Sequence, residues 1–361
     1  MQNHSEIFKQ TVRVLILFVT KLRFILLTFI VFLIAIASSF YYYQSELKTH
    51  LNLPLKNITL DIEQGDSLNK VLQKLSRMKV ISPSISWVAK LYAKDQQLSN
   101  KIKVGEFSLT AGMTVPALFE LITSNKQISY NIRFIEGSTF RQMQQILQES
   151  TQLKQHLSGK SDAEILKALG ISAKHLEGQF YPDTYTYHKN DTDIDILKRA
   201  HKRLQAILNE EWAAKQKDLV LKTAYDALIL ASIVEKETGA AHERGEISGV
   251  FIRRLKKNMR LQTDPTVIYG LGERYQGNIT RKHLKEKTPY NTYRINGLPP
   301  SPIAMVGREA IHAAVNPQKG SSLYFVAKGD GTHQFSETIS QHNKAVREFQ
   351  LKRRAGYRST Q

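Results

Sequence analysis

The stretch LILASIVEKETG, Leu228–Gly239, is an almost wholly apolar run that ends in two glutamates one residue apart. Over the wider window Thr223–Thr238, apolar residues fall on nearly every side of a helix, so this helix is expected to be buried rather than half exposed. Gly239 is a natural residue just after a helix end, which places Glu235 and Glu237 in the last turn. The sequence therefore predicts a buried central helix that carries two acids at its carboxyl end.

Carboxylates are poorly placed at this end of a helix. The helix terminus carries partial negative charge, and burial also disfavours the charged form. Both effects raise the pKa of a carboxyl group, which is what a general acid working near neutral pH requires. Residues two apart on a helix point about 200° from each other, so the two glutamates cannot face one cleft. One is expected to do chemistry while the other is solvated or pairs with Lys236 or Arg244; alternatively, both are ordinary residues at a fraying helix end.

Two further segments place polar groups beside turns. In RLQTDPTVIYG, Arg260–Gly270, Asp264 followed by proline predicts a helix start with Asp264 as its N-cap. Gln262 and Thr263 are then free to face a ligand. In PYNTYRINGLPPSPIAMVG, Pro289–Gly307, an Asn-Gly turn precedes prolines that stiffen an extended chain. A rigid loop rich in Asn, Thr and Tyr suits a hydroxyl-rich ligand such as a sugar, and suits a plain surface turn equally well.

The amino-terminal segment predicts a single-pass anchor in the inner (plasma) membrane. Phe24–Ser45 runs for 22 residues without a charge, and roughly 20 apolar residues span a bilayer as a helix. Basic residues outnumber acids before it, which places residues 1–23 in the cytoplasm and the remainder outside it. We expect that outer compartment to be the periplasm. A cleaved signal peptide is the alternative, because Ala35–Ser38 resembles a cleavage site, but the apolar run continues past that point.

Composition bounds the class of protein. The chain has 361 residues, enough for two compact units and a tail, and it has no cysteine, which excludes disulfides and thiol nucleophiles. Its net charge of +19 is spread out apart from Lys352–Arg354, which is typical of a solvated surface. Outside the cytoplasm, the acidic partners we expect are the membrane surface and anionic cell-wall polymer rather than nucleic acid.

Residue spacing predicts an α+β protein and the following division of the chain. Residues 24–45 form the membrane helix and residues 46–56 a short stalk. Residues 57–127 predict strand, helix, helix and strand, an order that resembles a LysM-type glycan-binding module and is also common in structural spacers. Residues 128–345 predict a mixed α+β catalytic domain, and residues 346–361 a basic tail.

Together, several segments resemble the YceG-like, MltG-type endolytic lytic transglycosylases of bacterial cell walls, in the family's order. They are EGQFYPDTY (Glu177–Tyr185), ASIVEKET (Ala231–Thr238), RLQTDPTVIYG (Arg260–Gly270), YNTY (Tyr290–Tyr293) and GLPPSPI (Gly297–Ile303). The resemblance covers most of the chain, including the anchor and the LysM-like module. Ser301 departs from the Gly or Ala expected there, and a serine should be tolerated.

The resemblance implies cleavage of the β-1,4 bond between N-acetylmuramic acid and N-acetylglucosamine, leaving a 1,6-anhydro-muramic acid end. The C6 hydroxyl of the sugar, not water, is then the nucleophile. Ordinary glycosidases need two carboxylates, whereas here one glutamate can protonate the leaving oxygen and then take the proton of the C6 hydroxyl. The resemblance also implies a role in ending nascent strands and a partnership with peptidoglycan synthases, with no cofactor.

A Glu-Ser pair marks the catalytic position of other lytic transglycosylases. Glu237-Thr238 is the similar pair here, so Glu237 is the predicted catalytic acid and base, with Glu235 as the fallback. Further candidates for sugar contacts or for stabilising the oxocarbenium-like state are Gln262, Thr263, Asn291 and Tyr293.

Two other functions remain open from the sequence. A non-catalytic anchored scaffold would use the LysM-like module and the basic surface, and a water-using muramidase would need a second acid such as Asp183 or Asp264. No metal site is expected, because the histidines lack ligand spacing and are interpreted as scattered surface residues. They include His242, His312, His333 and His342.

Overall fold

The computed structural model describes residues 2–351, and the chain divides into two compact units after Ile128. Each unit contains buried hydrophobic clusters of its own and is described by itself. The predicted basic tail falls outside the described residues from Lys352 onward.

A long helix opens the first unit. Helix α1 runs from Gln2 to Lys48, and among the described residues it alone has the length and composition of a membrane span, from Leu15 onward. Its most apolar window is not buried against protein, as expected for a helix that lies in lipid. Just beyond the helix, Leu51 is 4% exposed and its N–H donates to the carbonyl of Met113 at 2.7 Å. Leu51, in the stretch predicted as a stalk, therefore packs into the core of the first unit, whereas Leu55 in the same stretch is exposed.

The rest of the first unit is a small α+β module. Its elements are β1 (Ile58–Ile62), α2 (Leu68–Arg77), α3 (Pro83–Asp95), β2 (Gly105–Leu109) and α4 (Val115–Thr123). Strands β1 and β2 pair antiparallel, with Leu60 opposite Phe107 and both side chains fully buried. Helices α2 and α3 begin where Ser67 and Ser82 cap their first turns. The predicted order of strand, two helices and strand is confirmed, while the LysM-type role stays a prediction.

The second unit is mostly helical with two short strand pairs. Its helices are α5 (Phe140–Glu149), α6 (Asp162–Leu169), α7 (Asp193–Ala213), α8 (Ala224–Glu237), α9 (Arg244–Lys256), α10 (Asp264–Leu271), α11 (Arg281–Lys285), α12 (Arg308–Val315) and α13 (Ile339–Val346). Its strands are β3 (Ser129–Arg133), β4 (Thr184–His188), β5 (Tyr324–Ala327) and β6 (His333–Ser336). The pairs β3–β4 and β5–β6 are both antiparallel. The mixed helix-and-sheet class expected from the sequence is confirmed.

Helix α8 is the centre of this unit. It starts at a capping box formed by Thr223 and Asp226, and every residue from Ala227 to Val234 is buried. Helices α7, α9, α10 and α12 pack around it. The nearly unbroken apolar run thus forms the buried helix that it predicts, and its last turn emerges among loops from distant parts of the chain.

A second core positions the EGQFYPDTY segment. Helices α5 and α6 pack with β3 and β4 around aromatic side chains, including Phe140 and Phe180, whose ring centroids lie 5.3 Å apart. Gly178, with φ +74°, lies so close to Pro302 that a β-carbon at position 178 would be 2.4 Å from the proline ring. This contact joins the segment to the proline-rich loop before α12.

Candidate active site

The two glutamates at the end of helix α8, Glu235 and Glu237, lie in different surroundings. The helix ends at Glu237, and Thr238 leaves it in an extended conformation. Both acids therefore occupy the last turn, where the partial negative charge of the helix end disfavours a carboxylate. Their side chains meet different partners, as expected for residues two apart on a helix.

Glu235 is held by protein groups. Its Oε2 accepts a hydrogen bond from the N–H of Gly307 at 3.0 Å, and its Oε1 lies 3.5 Å from a guanidinium nitrogen of Arg244. Burial raises the pKa of Glu235, while the Gly307 N–H and Arg244 oppose that rise. Of the alternatives given by the sequence for the second acid, the structure shows pairing with Arg244. Glu235 also ties the end of α8 to the residue before α12.

Glu237 faces a groove of about 1460 Å³. The hydroxyl of Thr263 donates a hydrogen bond to its Oε1. Burial raises the pKa of Glu237 to about 7; the Thr263 hydrogen bond and the charge of Arg254 oppose the rise, and Asp264 adds to it. The residue keeps some exposed surface because it opens on the groove, yet the surrounding protein removes much of the hydration of its carboxyl group. Such a group is substantially protonated near neutral pH, as a general acid must be.

The turn before α10 carries two of the predicted contact residues. Gln262 has φ +50°, a left-handed conformation that costs an ordinary residue roughly 1–2 kcal/mol. Thr292 holds this turn, because its carbonyl accepts from Gln262 N–H at 3.2 Å and its hydroxyl accepts from Thr263 N–H at 3.0 Å. The exposed Gln262 side chain lines the groove, and backbone strain of this kind concentrates at functional sites. Gln262 and Thr263 thus share the groove with Glu237, and sugar contacts by them stay predictions.

The residues of the Asn-Thr-Tyr loop have different roles: Asn291 stabilises the loop, and Tyr293 lines the groove. Asn291 is 1% exposed, and its amide nitrogen donates to three backbone carbonyls within residues 283–286. Its side-chain oxygen accepts from the N–H of Tyr293 at 3.0 Å. Asn291 builds the loop and is not part of the groove wall, so its geometry assigns it to folding rather than to a sugar contact.

Tyr293, in contrast, lines the groove. Its hydroxyl donates to Oδ1 of Asp264 at 2.7 Å, and burial raises the pKa of this phenol. The contact corrects the N-cap predicted at Asp264. Thr263 is the N-cap of α10 and Asp264 is the first helical residue, so the carboxylate turns to Tyr293 rather than to the helix N–H groups.

Glu177 is a second buried acid in the groove, and it is absent from the candidates predicted by sequence. It is 7% exposed, its Oε1 accepts from the N–H of Phe140 at 3.0 Å, and the hydroxyl of Tyr269 also donates to it. Burial raises the pKa of Glu177 to about 7, and these hydrogen bonds oppose the rise. The acid lies in the quoted EGQFYPDTY segment, but its burial depends on the packing of α5 and α10, which spacing along the sequence does not show.

The interpretation of His333 as a surface residue is wrong. It is 6% exposed, and its Nδ1 lies 2.7 Å from Oε2 of Glu243. The other oxygen of Glu243 accepts from the backbone N–H of His333 at 2.9 Å, and the ring of Phe325 packs edge-on against the imidazole. His333 therefore forms part of the groove wall with its ring fixed by a buried acid.

Comparisons with known proteins agree on one family. The model of the YceG-like family matches residues 60–348. An endolytic murein transglycosylase of Bacillus subtilis strain 168 is 30% identical over 332 residues, which are 87% of this chain and 91% of that protein. An endolytic murein transglycosylase of Streptococcus pneumoniae strain R6 is 24% identical over 89% of this chain, which spans 64% of that longer protein. The crystal structure of a yceG-like protein from Listeria monocytogenes superposes with a TM-score of 0.50, covering 81% of this chain and 99% of that one. The two sequences are 32% identical.

Proposed function

Because this chain belongs to the YceG-like family, we propose that it is a membrane-anchored endolytic lytic transglycosylase of peptidoglycan. It cleaves the β-1,4 bond between N-acetylmuramic acid and N-acetylglucosamine in nascent strands, leaves 1,6-anhydro ends and so terminates elongation. The observation that carries the proposal is the protonatable carboxyl group of Glu237, which opens on a groove large enough for several sugar rings.

The proposed mechanism uses Glu237 twice. Its carboxyl proton passes to the glycosidic oxygen as the bond from that oxygen to C1 of the muramic acid breaks. The C6 hydroxyl of the same sugar then attacks C1, and its proton returns to the Glu237 carboxylate. No water is consumed, and the glutamate ends in its starting state. The Thr263 hydroxyl supports the charged intermediate form of Glu237 through its hydrogen bond.

The first unit is the basis for the proposed location of the protein in the cell. We expect α1 to cross the membrane with residues 1–23 in the cytoplasm, so that the groove lies outside it. The small α+β module is proposed to bind glycan next to the anchor. Such an arrangement would confine cleavage to the newly made, membrane-proximal wall, where peptidoglycan synthases work.

A water-using muramidase is the second candidate, and one observation favours it. Of the two acids suggested by sequence, Asp183 pairs with Arg203 at 2.6 Å and is not part of the groove wall, whereas Asp264 lines the groove. Glu177 adds another carboxyl group to that wall. The groove therefore holds acids that a second, water-activating role would need.

The test compares Glu237→Gln with the wild-type chain, purified in detergent and incubated with isolated peptidoglycan. Mass spectrometry should find anhydro-muramic acid ends with the wild type and not with Glu237→Gln, and thermal melting should show that this variant is folded. Glu235→Gln is the matched control, because it alters the neighbouring acid outside the groove. Anhydro ends from Glu237→Gln would remove this residue from the mechanism. Products with reducing ends, which are heavier by one water, would show that the protein is a muramidase. If the wild type cleaves no peptidoglycan, the non-catalytic scaffold is the function that remains.

A further inference from the structure

Arg254 is a buried cation in the wall of the groove. It belongs to α9, is 6% exposed and lies among the groove-lining residues. Its Nε donates to the carbonyl of Leu323 and one terminal nitrogen donates to the carbonyl of Leu261, both at 2.7 Å. The guanidinium lies 5.1 Å from the centre of the Tyr324 ring. Backbone oxygens and an aromatic face thus fix its position without neutralising its charge.

No acid is paired with this arginine within the part of the chain that the structure describes. Burial lowers the pKa of Arg254, yet a guanidinium stays protonated throughout the physiological range. A buried charge without an ion pair is costly, and strongly perturbed ionisable groups concentrate at functional sites. Arg254 and Glu237 line the same groove, and Arg254 binds the carbonyl of Leu261, two residues before the Thr263 whose hydroxyl binds Glu237. The charge of Arg254 also lowers the pKa of Glu237.

The charges around Glu237 are few. The groups that face it are Arg254 from α9, Asp264 from α10 and the phenol of Tyr293, which is hydrogen-bonded to Asp264. On the helices packed against α8, Arg308 and Arg244 are engaged in ion pairs with other acids. They form the pairs Arg308–Glu210, Arg308–Glu211 and Arg244–Glu309. Lys236 also lines the groove, with its Nζ bound to the carbonyl of Gly137. Arg254 is the cation that lowers the pKa of Glu237.

We propose that Arg254 is a positioning residue whose fixed charge stabilises the Glu237 carboxylate between the two proton transfers. The inference rests on the proposed function, since it concerns the interval after the glycosidic oxygen has taken the proton and before the C6 hydroxyl returns one. Without the charge, Glu237 holds its proton more tightly and becomes a weaker acid. The high-pH limb of activity, which reports loss of the acid's proton, then moves upward.

The adjacent Arg253 offers a matched control. It also donates to backbone carbonyls, from Nε to Ser322 at 2.7 Å and from a terminal nitrogen to Gln318 at 3.0 Å. Unlike Arg254, it is not part of the groove wall. Its replacement removes comparable hydrogen bonds while leaving the charge near Glu237 in place.

The experiment measures formation of anhydro ends against pH for the full chain in detergent. Arg254→Gln should lower the maximal rate about tenfold and raise the high-pH limb by about one unit, because a nearby opposite charge shifts a carboxyl pKa by that order. Arg254→Lys keeps the charge and should keep the limb where the wild type has it. Arg253→Gln should leave the limb in place. If melting shows Arg254→Gln to be unfolded, Arg254→Met, whose stem still covers Tyr324, takes its place.

The outcomes separate the two proposals. An unmoved limb in a folded, neutral Arg254 variant overturns the role of Arg254 while the lyase function stands. Equal limb shifts in the Arg253 and Arg254 variants assign Arg254 to general stability and also overturn it. Absence of anhydro ends from the wild-type chain removes the proposed function, and the role of Arg254 with it.

Discussion

The hydroxyl of Thr263 donates a hydrogen bond to Oε1 of Glu237, joining residues 26 positions apart in the sequence. The contact links the end of α8 to the N-cap of α10. It identifies which of the two glutamates belongs to the groove, because Glu235 is bound instead to Gly307 and Arg244.

Loss of the Thr263 hydroxyl should weaken catalysis without unfolding the protein. In Thr263→Val the side chain keeps its shape, but the Glu237 carboxylate loses a donor, and a hydrogen bond to a charged group contributes about 1.5–3 kcal/mol. We expect formation of anhydro ends to slow by at least about tenfold. Thr263→Ser keeps the donor and should retain most of the rate. Equal rates in Thr263→Val and wild type would contradict a role for this bond.

Replacement of Glu237 by glutamine should stabilise the fold in alkaline solution. The folded-state pKa of Glu237, about 7, lies above the usual value near 4.3, so the folded state binds more protons than the unfolded state between these values. Stability is therefore lost as pH rises from about 4 to about 7, and the loss is complete above that range. Chemical unfolding at pH 8 should show Glu237→Gln more stable by about 1–3 kcal/mol.

The same comparison at pH 4 is the control. Both proteins then carry a neutral group at position 237, so their unfolding free energies should coincide. A constant difference at both pH values would mean that packing, rather than ionisation, separates the two proteins.

Neutralising Asp264 should shift the activity profile in the direction opposite to neutralising Arg254. Asp264 raises the pKa of Glu237, so Asp264→Asn should let Glu237 lose its proton at lower pH. The high-pH limb, which we expect near pH 7 in the wild type, should move downward by a fraction of a unit. The asparagine oxygen can still accept from the Tyr293 hydroxyl, so the loop should stay in place. An upward shift of the limb would show that Asp264 acts on the site in another way.

Alanine at position 178 should destabilise the second unit more than alanine at position 159. Both glycines have left-handed φ angles, +74° and +73°, so the backbone strain of the two substitutions is matched. Only at Gly178 does a β-carbon meet protein, at 2.4 and 2.5 Å from carbons of Pro302, whereas at Gly159 it meets nothing within 4 Å. Gly178→Ala should lose about 1–3 kcal/mol more unfolding free energy than Gly159→Ala. Equal losses would show that the segment relaxes away from Pro302.

Much of the fold could be predicted from local patterns. Apolar residues on all sides of Ala227–Val234 predict the buried helix, and an uncharged run at Phe24–Ser45 predicts the membrane-spanning helix. Ser67 and Ser82 cap the first turns of α2 and α3, and such contacts join residues three apart, so these helix starts are local features. The burial of Leu51 could not be predicted locally, because its partners lie far along the chain.

The site was less predictable, since its chemistry depends on long-range contacts. The Glu-Thr pair pointed to Glu237, and the sequence named Lys236 and Arg244 as possible partners of the other acid, of which Arg244 contacts Glu235. It interpreted Asn291 as a ligand contact, although that amide is bound to backbone carbonyls, and it did not identify Glu177 or Arg254. Nothing near these residues in the sequence indicates their burial, because α5, α10 and β5 cover them only in the folded chain.

The sequence by itself determined the long apolar amino-terminal helix, the order of elements and a central helix ending in two acids, because each depends on spacings of a few residues. The tertiary structure alone decided which acid faces the groove, which residues desolvate its carboxyl group and which charged groups lie near it. The physical reason is that desolvation and electrostatic attraction depend on distance in space, and Thr263, Arg254 and Asp264 come near Glu237 only when α8, α9 and α10 pack together.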